Sequence, residues 1–89
     1  MFEVEWLQSA VNELAAIWTL ADSSLRQQIT AATHLIDQQL QSDPFNTGES
    51  RSGGRRVYFA PPLGVTFRVE ADGQTVTVLR VWLLHRRRP

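Results

Sequence analysis

The C-terminal half of this chain contains the residue types that could do chemistry on a phosphate. Arg51, Arg55 and Arg56 surround a pair of glycines, and Tyr58 follows Arg56 at the spacing that places both on one face of a strand. A guanidinium binds phosphate bidentately and stays charged near neutral pH, so it suits binding and charge stabilisation better than proton transfer. These residues predict a group that grips a phosphate or a base, and ordinary surface positions on a strand are the alternative.

A second basic group lies further along the chain. Arg68 is another candidate cation, and His85 suits proton transfer because an unperturbed imidazole has a pKa of about 6.5. Arg86, Arg87 and Arg88 follow directly and are candidate contacts to a polyanion. A solvated terminal segment is the alternative for this closing run.

Metal, thiol and nucleotide-loop chemistry have no residues to support them in this sequence. It contains no cysteine and only two histidines, so it lacks both a thiol nucleophile and a ligand cluster at metal spacing. The Gly53-Gly54 segment lacks the GxxxxGKS/T pattern of a P-loop, and no nucleophile elbow holds a serine. We therefore expect neither a metal nor another cofactor.

The formal net charge is zero, but the charge is unevenly distributed. Residues 1–45 hold six acidic residues and one arginine, a net charge of −5, whereas residues 46–89 hold eight arginines and three acidic residues, a net charge of +5. The asymmetry predicts a basic surface on the second half that could meet a polyanion or an acidic partner. A general preference for arginine is the alternative, since all nine basic residues are arginine.

The first half predicts one strand and two helices. Apolar and acidic residues alternate over residues 2–6, which indicates a strand with one buried face. From about Leu7 the apolar residues recur at helical spacing. Asp22-Ser23-Ser24 offers N-cap residues for a second helix from about Ser24 to Gln41. A break this short predicts an antiparallel helical hairpin.

The second half predicts a loop from Phe45 to Gly54 and then three strands, Arg56–Ala60, Leu63–Val69 and Thr75–Leu84. The Asp72-Gly73 pair predicts a hairpin turn between the last two strands. Alternation sorts the side chains of the first two of these strands between two faces of a sheet. The helix-facing side receives Val57, Phe59, Val65 and Phe67, and the open side receives Arg56, Tyr58, Thr66 and Arg68. In the last strand, apolar residues occur at both odd and even positions, so the sequence does not show which of its side chains face the helices.

The element order β-α-α-β-β-β predicts a single two-layer α+β domain over residues 1–89. The helical hairpin packs on one face of a mostly antiparallel sheet, and the other face has no cover of its own. We interpret the three tryptophans, Trp6, Trp18 and Trp82, as core or interface packing residues rather than base-stacking platforms.

Four segments that span nearly the whole chain carry a family pattern in their order and spacing. They are Phe2–Trp6 with Ala10 and Glu13-Leu14; Ile36-Asp37 with Leu40 and Asp43-Pro44; Gly48–Arg51 running into Arg56–Phe59; and the strand pair Leu63–Val69 and Val76–Trp82. Together they resemble the RelE/ParE superfamily, the toxins of bacterial type II toxin–antitoxin systems. The resemblance implies the fold described above and a growth-inhibiting protein, of the kind linked to plasmid stabilisation, that a cognate antitoxin neutralises.

The RNA-cutting branch of this superfamily comprises metal-independent mRNA interferases that act on messenger RNA, usually on the ribosome. The resemblance places Arg56, Tyr58 and His85 with Arg86 where this branch has functional residues. For RNA cleavage we expect phosphate contacts from Arg56 and Arg68 and proton transfer from His85. The predicted RNA-binding residues are Arg51, Arg55, Tyr58, Arg86 and Arg87. Where this branch has an arginine early in its third strand, this chain has Gly64.

A second branch implies a different activity. The gyrase-poisoning toxins lack the nuclease residues, so a non-enzymatic toxin that binds a protein target such as DNA gyrase stays open. An inactive member that only binds its partner stays open as well.

The N-terminus has two acidic residues and no basic region, which is not the pattern of a signal peptide. No apolar run approaches the roughly 20 residues of a membrane-spanning helix. Together with the absence of cysteine, these features predict a cytoplasmic protein without a membrane partner.

Overall fold

The computed structural model describes residues 1–84 and confirms the α+β architecture expected from the sequence. Two helices pack against a five-stranded mixed sheet. The elements in chain order are β1 (Glu3–Trp6), α1 (Gln8–Leu20), α2 (Ser23–Ser42), β2 (Glu49–Ser50), β3 (Arg55–Ala60), β4 (Leu63–Val69) and β5 (Thr75–Leu83). The two-residue β2 lies in the segment predicted as a loop.

The sheet order is β1-β5-β4-β3-β2, so the first strand lies beside the last. β1 runs parallel to β5, and the other neighbouring pairs are antiparallel. Asp72 closes the β4–β5 hairpin by accepting hydrogen bonds from the backbone N–H groups of Gln74 and Thr75. Gly73 adopts the positive φ of 70° that this turn needs. The Asp-Gly turn predicted from the sequence is therefore confirmed.

The helical hairpin closes where the sequence places its N-cap. Asp22 Oδ1 accepts a hydrogen bond from the backbone N–H of Leu25 at 2.8 Å, which begins α2. Arg26 donates to the carbonyls of Trp18 and Thr19 in the last turn of α1, and the Trp18 carbonyl also accepts the backbone N–H of Ala21. Within residues 1–84, neither helix has the length and apolar character needed to cross a membrane.

The core lies between the helices and one face of the sheet. Trp6 Nε1 donates to Asp37 Oδ1 at 3.1 Å and so ties β1 to α2. Each large apolar side chain that is fully buried contributes about 1.5–3 kcal/mol. The largest of them are Ile29, Ile36, Leu40, Leu63, Val65, Phe67, Val76, Val78 and Val81. These buried side chains hold one face of the sheet against the helices, and the opposite face of the sheet stays uncovered.

The facing of β4 is as predicted, but that of β3 was predicted wrongly. Val65 and Phe67 of β4 are fully buried against the helices. Tyr58 pairs with Val65, and Arg56 pairs with Phe67. Because directly paired residues share a face, Arg56 and Tyr58 lie on the helix-facing side and not on the open side.

The turn between β3 and β4 explains this correction. It sets Ala60 opposite Leu63, and Ala60 is 1% exposed in the core. Since the side-chain period of a strand is two, this register turns Val57 and Phe59 to the open face. Alternation favoured the larger apolar side chains inside, whereas the turn places the small alanine there.

A bulge in β5 resolves the strand whose faces the sequence left unassigned. Val76 and Val78 face the core, and Leu79 has no partner on β4 because the register shifts between Thr66 and Phe67. The extra residue reverses the alternation, so Val81 is buried. Trp82 therefore points to the open face.

Candidate functional site

The sheet face that the helices leave uncovered presents two outer rows of cross-strand neighbours and a middle row of Val57, Thr66 and Arg80. At one end lie Phe59, Gly64 and Trp82, which we call the aromatic corner. Four residues further along the strands lie Arg55 and Arg68, which we call the cationic row. At about 3.3 Å per residue the two rows are about 13 Å apart.

In the aromatic corner, the indole of Trp82 lies against Gly64. A β-carbon added to Gly64 would lie 2.7–2.9 Å from three ring atoms of Trp82, so no other residue fits there unless the ring moves. Phe59 meets the indole edge to face, with ring centroids 6.4 Å apart and an interplanar angle of 82°. An aromatic ring therefore occupies the position where the resemblance places a nuclease arginine.

In the cationic row, a carboxylate engages one of the two arginines. Glu70 Oε2 accepts hydrogen bonds from Arg68 Nε and Nη2, both at 3.3 Å, and from the hydroxyl of Thr77. The Thr77 hydroxyl and then Arg68 hold the pKa of the Glu70 carboxyl below its ordinary value. Arg55 pairs opposite Arg68, is exposed, and forms no salt bridge within residues 1–84.

Arg56 has a structural role on the opposite side of the sheet. Its Nε donates to the carbonyl of Thr47 at 2.9 Å, and its Nη2 donates to the carbonyl of Gly48 at 3.0 Å. Thr47 is 5% exposed, so this pair of bonds anchors the segment that follows α2. Tyr58, predicted to bind RNA, instead packs against the hydrophobic core.

Of the remaining predicted residues, the structure describes Arg51, which lies apart from the two rows. Arg51 forms a 3.1 Å salt bridge with Glu49 at the edge of the sheet. His85, Arg86 and Arg87 lie outside the described residues.

The structure does not bring the predicted catalytic arginines together. Arg56 lies on the helix-facing side, and Arg68 lies on the open side beside Glu70. Within residues 1–84, no three histidine, cysteine or acidic side chains are grouped so that they could hold a metal ion. On the described open face, Arg55 is exposed without a salt bridge, whereas Arg68 and Arg80 are each bound by a carboxylate.

A further arginine of the sheet is tied to a helix. Arg80 Nε donates to Glu13 Oε2 of α1 at 3.0 Å. Glu13 Oε1 also accepts the backbone N–H of Val81 at 3.1 Å, where β5 extends beyond the end of β1 and has no strand partner on that side. This carboxylate covers an exposed sheet edge and engages the charge of Arg80.

Sequence reasoning missed the aromatic corner. Phe59 was assigned to the helix side, and the faces of the strand that holds Trp82 were left open. The available signal was Gly64, because a glycine inside a strand often marks the close approach of another group. The two prolines between β3 and β4 were the second signal, since a tight turn sets the register on both sides.

The second candidate surface is a groove on the helical hairpin. It has a volume of about 270 Å³, and none of its lining residues is charged. Trp18 is 40% exposed on its wall, with the Arg26 guanidinium 5.3 Å from the ring centroid. We call this surface the hairpin groove, and its lining is Val11, Leu14, Ala15, Trp18, Ile29, Thr30 and Thr33.

Known proteins match this chain in structure. No protein-family model and no curated protein matches its sequence. Among solved structures, the chromosomal ParDE system of P. aeruginosa matches with a TM-score of 0.75 at 20% identity, over 96% of this chain and 98% of that one. The RelBE2 toxin–antitoxin complex of Mycobacterium tuberculosis matches with a TM-score of 0.71 at 18% identity, over 92% and 90% of the two chains.

The isolated RelE toxin of E. coli is a third match, with a TM-score of 0.63 at 17% identity, over 98% of this chain and 88% of that one. Three different toxins thus share one arrangement of helices and strands with this chain. The chain has the fold of the RelE/ParE superfamily toxins.

Proposed function

We propose that this protein is the growth-inhibiting toxin of a bacterial type II toxin–antitoxin system, and that it acts by binding a protein target rather than by cutting RNA. The first half of the proposal is supported by the shared fold, since the similar structures are toxins of such systems. The second half is supported by the chemistry of the open sheet face. The proposed place of action is the cytoplasm.

The hairpin groove is the proposed site of the antitoxin. Its lining is apolar and uncharged, and Val11 and Trp18 are about two-fifths exposed on it. A groove between two antiparallel helices suits the apolar face of a partner helix, a recurring mode of peptide recognition. A tryptophan such as Trp18 is also among the residues that most often supply the binding energy of an interface.

One observation favours a protein target over RNA cleavage: Trp82 covers Gly64 where the RNA-cutting branch places an arginine. Cleaving RNA without a metal requires cations around the reacting phosphate and a group that moves the proton of the 2′-hydroxyl. On the described open face, Arg68 is engaged by Glu70 and Arg56 is absent. An aromatic ring in a cation's place suits the anchor of a protein interface better than a phosphoryl site.

Cleavage of messenger RNA is the second candidate, and one observation favours it. Arg55 and Arg68 are cross-strand neighbours on the same face as Trp82. A pair of arginines beside an aromatic ring is the composition of a site that holds a single-stranded polynucleotide. The two candidate functions can be separated in the cell, because cleavage creates new RNA 5′ ends and the binding of a protein target does not.

The test is expression of the gene from a tight inducible promoter in bacteria, with and without the adjacent gene. We expect growth arrest that the adjacent gene relieves. Mapping of RNA 5′ ends and measurement of plasmid supercoiling in the arrested cells then separate the candidates. We expect unchanged RNA ends and, if gyrase is the target, altered supercoiling.

Two outcomes would contradict the proposal. New RNA ends that appear within minutes of induction, and again with purified protein, would replace the protein-binding mechanism by the nuclease. The absence of arrest from soluble, folded protein would remove the toxin assignment itself.

A further inference from the structure

We infer that the aromatic corner and the cationic row form one docking site for an extended protein segment that carries an apolar side chain and, four residues away, a carboxylate. This inference rests on the proposed function, because the segment would belong to the toxin's protein target. It adds the chemistry by which the open face recognises that target.

The aromatic corner presents two rings at nearly a right angle on the open face. Trp82 lies flat against the Gly64 backbone, and Phe59 stands nearly perpendicular to it at 82°. Phe59 is 49% exposed, so the corner opens to solvent. One apolar side chain of a partner can pack in the angle where the exposed Phe59 ring meets the indole, since aromatic rings favour such edge-to-face contacts.

The cationic row supplies the charge complementarity. Arg55 and Arg68 are directly opposite on neighbouring strands, an arrangement in which like charges repel. Glu70 relieves this repulsion at Arg68, and no salt bridge within residues 1–84 relieves it at Arg55. A carboxylate of the partner that pairs with Arg55 would relieve the remaining repulsion between the two arginines.

The separation of the two rows sets the spacing of the segment. Arg55 and Phe59 are four residues apart on β3 and point to the same face. In an extended peptide, side chains at positions i and i+4 also share a face and lie about 13 Å apart. A segment that runs along β3 and β4 therefore meets both rows when its apolar and acidic residues are four apart.

The remaining charges on the open face favour such a segment over a polynucleotide. Glu3, Glu5 and Glu49 pair with Thr75, Thr77 and Val57, which places their carboxylates on this face with Glu70. A polynucleotide brings a phosphate at every unit and gains affinity by neutralising them. A single carboxylate instead needs one cation, and Arg55 suits it, because Glu70 binds Arg68, Glu13 binds Arg80 and no salt bridge within residues 1–84 includes Arg55.

The test is titration of the ¹⁵N-labelled full-length protein with ten-residue peptides on a Ser/Thr background, followed by nuclear magnetic resonance. One pair of peptides has Phe and Asp four residues apart, in both orders. The first control has them three apart, on opposite faces of an extended chain. The second control peptide has Phe and Lys four apart. An oligonucleotide of ten uridines is tested beside the peptides.

We expect the peptides with Phe and Asp four apart to shift the Trp82 indole and Arg55 resonances and to leave the Trp18 indole, on the hairpin face, unmoved. Their affinity should exceed that of either control by about threefold, the value of one exposed ion pair. Arg55→Glu should remove that advantage without unfolding the protein, because Arg55 is exposed.

Three outcomes would overturn the inference. The first is that the control peptides bind as tightly as the peptides with Phe and Asp four apart. The second is that the oligonucleotide shifts the Trp82 resonance more than the peptides do. The third is that no peptide shifts any resonance of the open face. Growth arrest measured on the same protein keeps the proposals distinguishable. Peptide binding by a non-toxic protein would sink the toxin assignment alone, and arrest without peptide binding would sink the docking site alone.

Discussion

The two exposed faces of this molecule differ in what they can recognise. The hairpin groove has an uncharged lining, and the nearby Arg26 is held against Trp18 and the end of α1. The open sheet face separates two aromatic rings from two arginines among several carboxylates. An apolar groove recognises a partner through complementary shape and the apolar surface that is buried. A face with separated aromatic and charged groups recognises the spacing of matching groups on the partner. The fold therefore presents two candidate binding surfaces of different chemistry.

The layer between the faces keeps them separate. Phe67 and Ile29, both nearly fully buried, belong to the core that lies between the sheet and the helices. None of the side chains that line the hairpin groove belongs to the sheet. A substitution on one face should therefore change one partner and leave the other unchanged, which makes the comparison testable.

The largest effect on stability should come from placing the nuclease arginine in the aromatic corner. Gly64→Arg should displace Trp82 and lower the free energy of unfolding by about 1–3 kcal/mol, as overpacking does. Denaturant unfolding measures the change. Val57→Arg, one row away on the same face and opposite Glu49, is the matched control, and its expected change is smaller. Equal stability of both variants with an unmoved indole would contradict the described packing.

A smaller effect should separate the two neighbouring arginines of β3. Arg56→Ala removes two hydrogen bonds to backbone carbonyls and should lower the free energy of unfolding by about 1–2 kcal/mol. Arg55→Ala should change it by less than about 0.5 kcal/mol, because Arg55 is exposed. Thermal or urea denaturation of the two variants measures the difference. A larger loss of stability in Arg55→Ala than in Arg56→Ala would contradict the placement of Arg56 on the helix-facing side.

The smallest effect should be the pH dependence of the cationic row. The folded-state pKa of Glu70 lies below the ordinary 4.5, so its stabilising contribution is present above pH 4.5 and is lost as the pH falls through the folded pKa. Glu70→Gln should therefore flatten the decline of the urea midpoint below about pH 4.5. Glu3→Gln, which removes another carboxylate from the same face, is the control, and an equal flattening by both would oppose the assignment.

Much of the fold could be predicted because local chemistry determines it. Asp22 caps α2 through its own side chain, and the Asp72-Gly73 pair fits the turn it forms. Such signals lie within a few residues of the structure that they specify. The helices, the hairpin turn and the order of the long strands followed from them.

The site could not be predicted in full because it depends on register. The turn beside Ala60 decides which face receives Phe59, and the bulge at Leu79 decides which face receives Trp82. Neither is visible in an apolar pattern that fits both faces. Arg68 was assigned to the correct face, because its strand alternates without interruption.

The most direct test of the account is a crossed experiment on the two faces. Trp18→Ala alters the hairpin groove, with Leu20→Ala as its control, since Leu20 is 90% exposed and outside the groove. The double variant Phe59→Ala, Arg55→Glu alters the open face. Growth arrest and the affinity for the adjacent gene product are measured for each folded variant.

We expect Trp18→Ala to stay toxic while its affinity for the antitoxin falls by about tenfold or more, as for an aromatic hot spot. The open-face variant should lose toxicity and keep its antitoxin affinity. If the open-face variant stays toxic, or if both variants lose the same property, the assignment of the two faces to two partners is wrong.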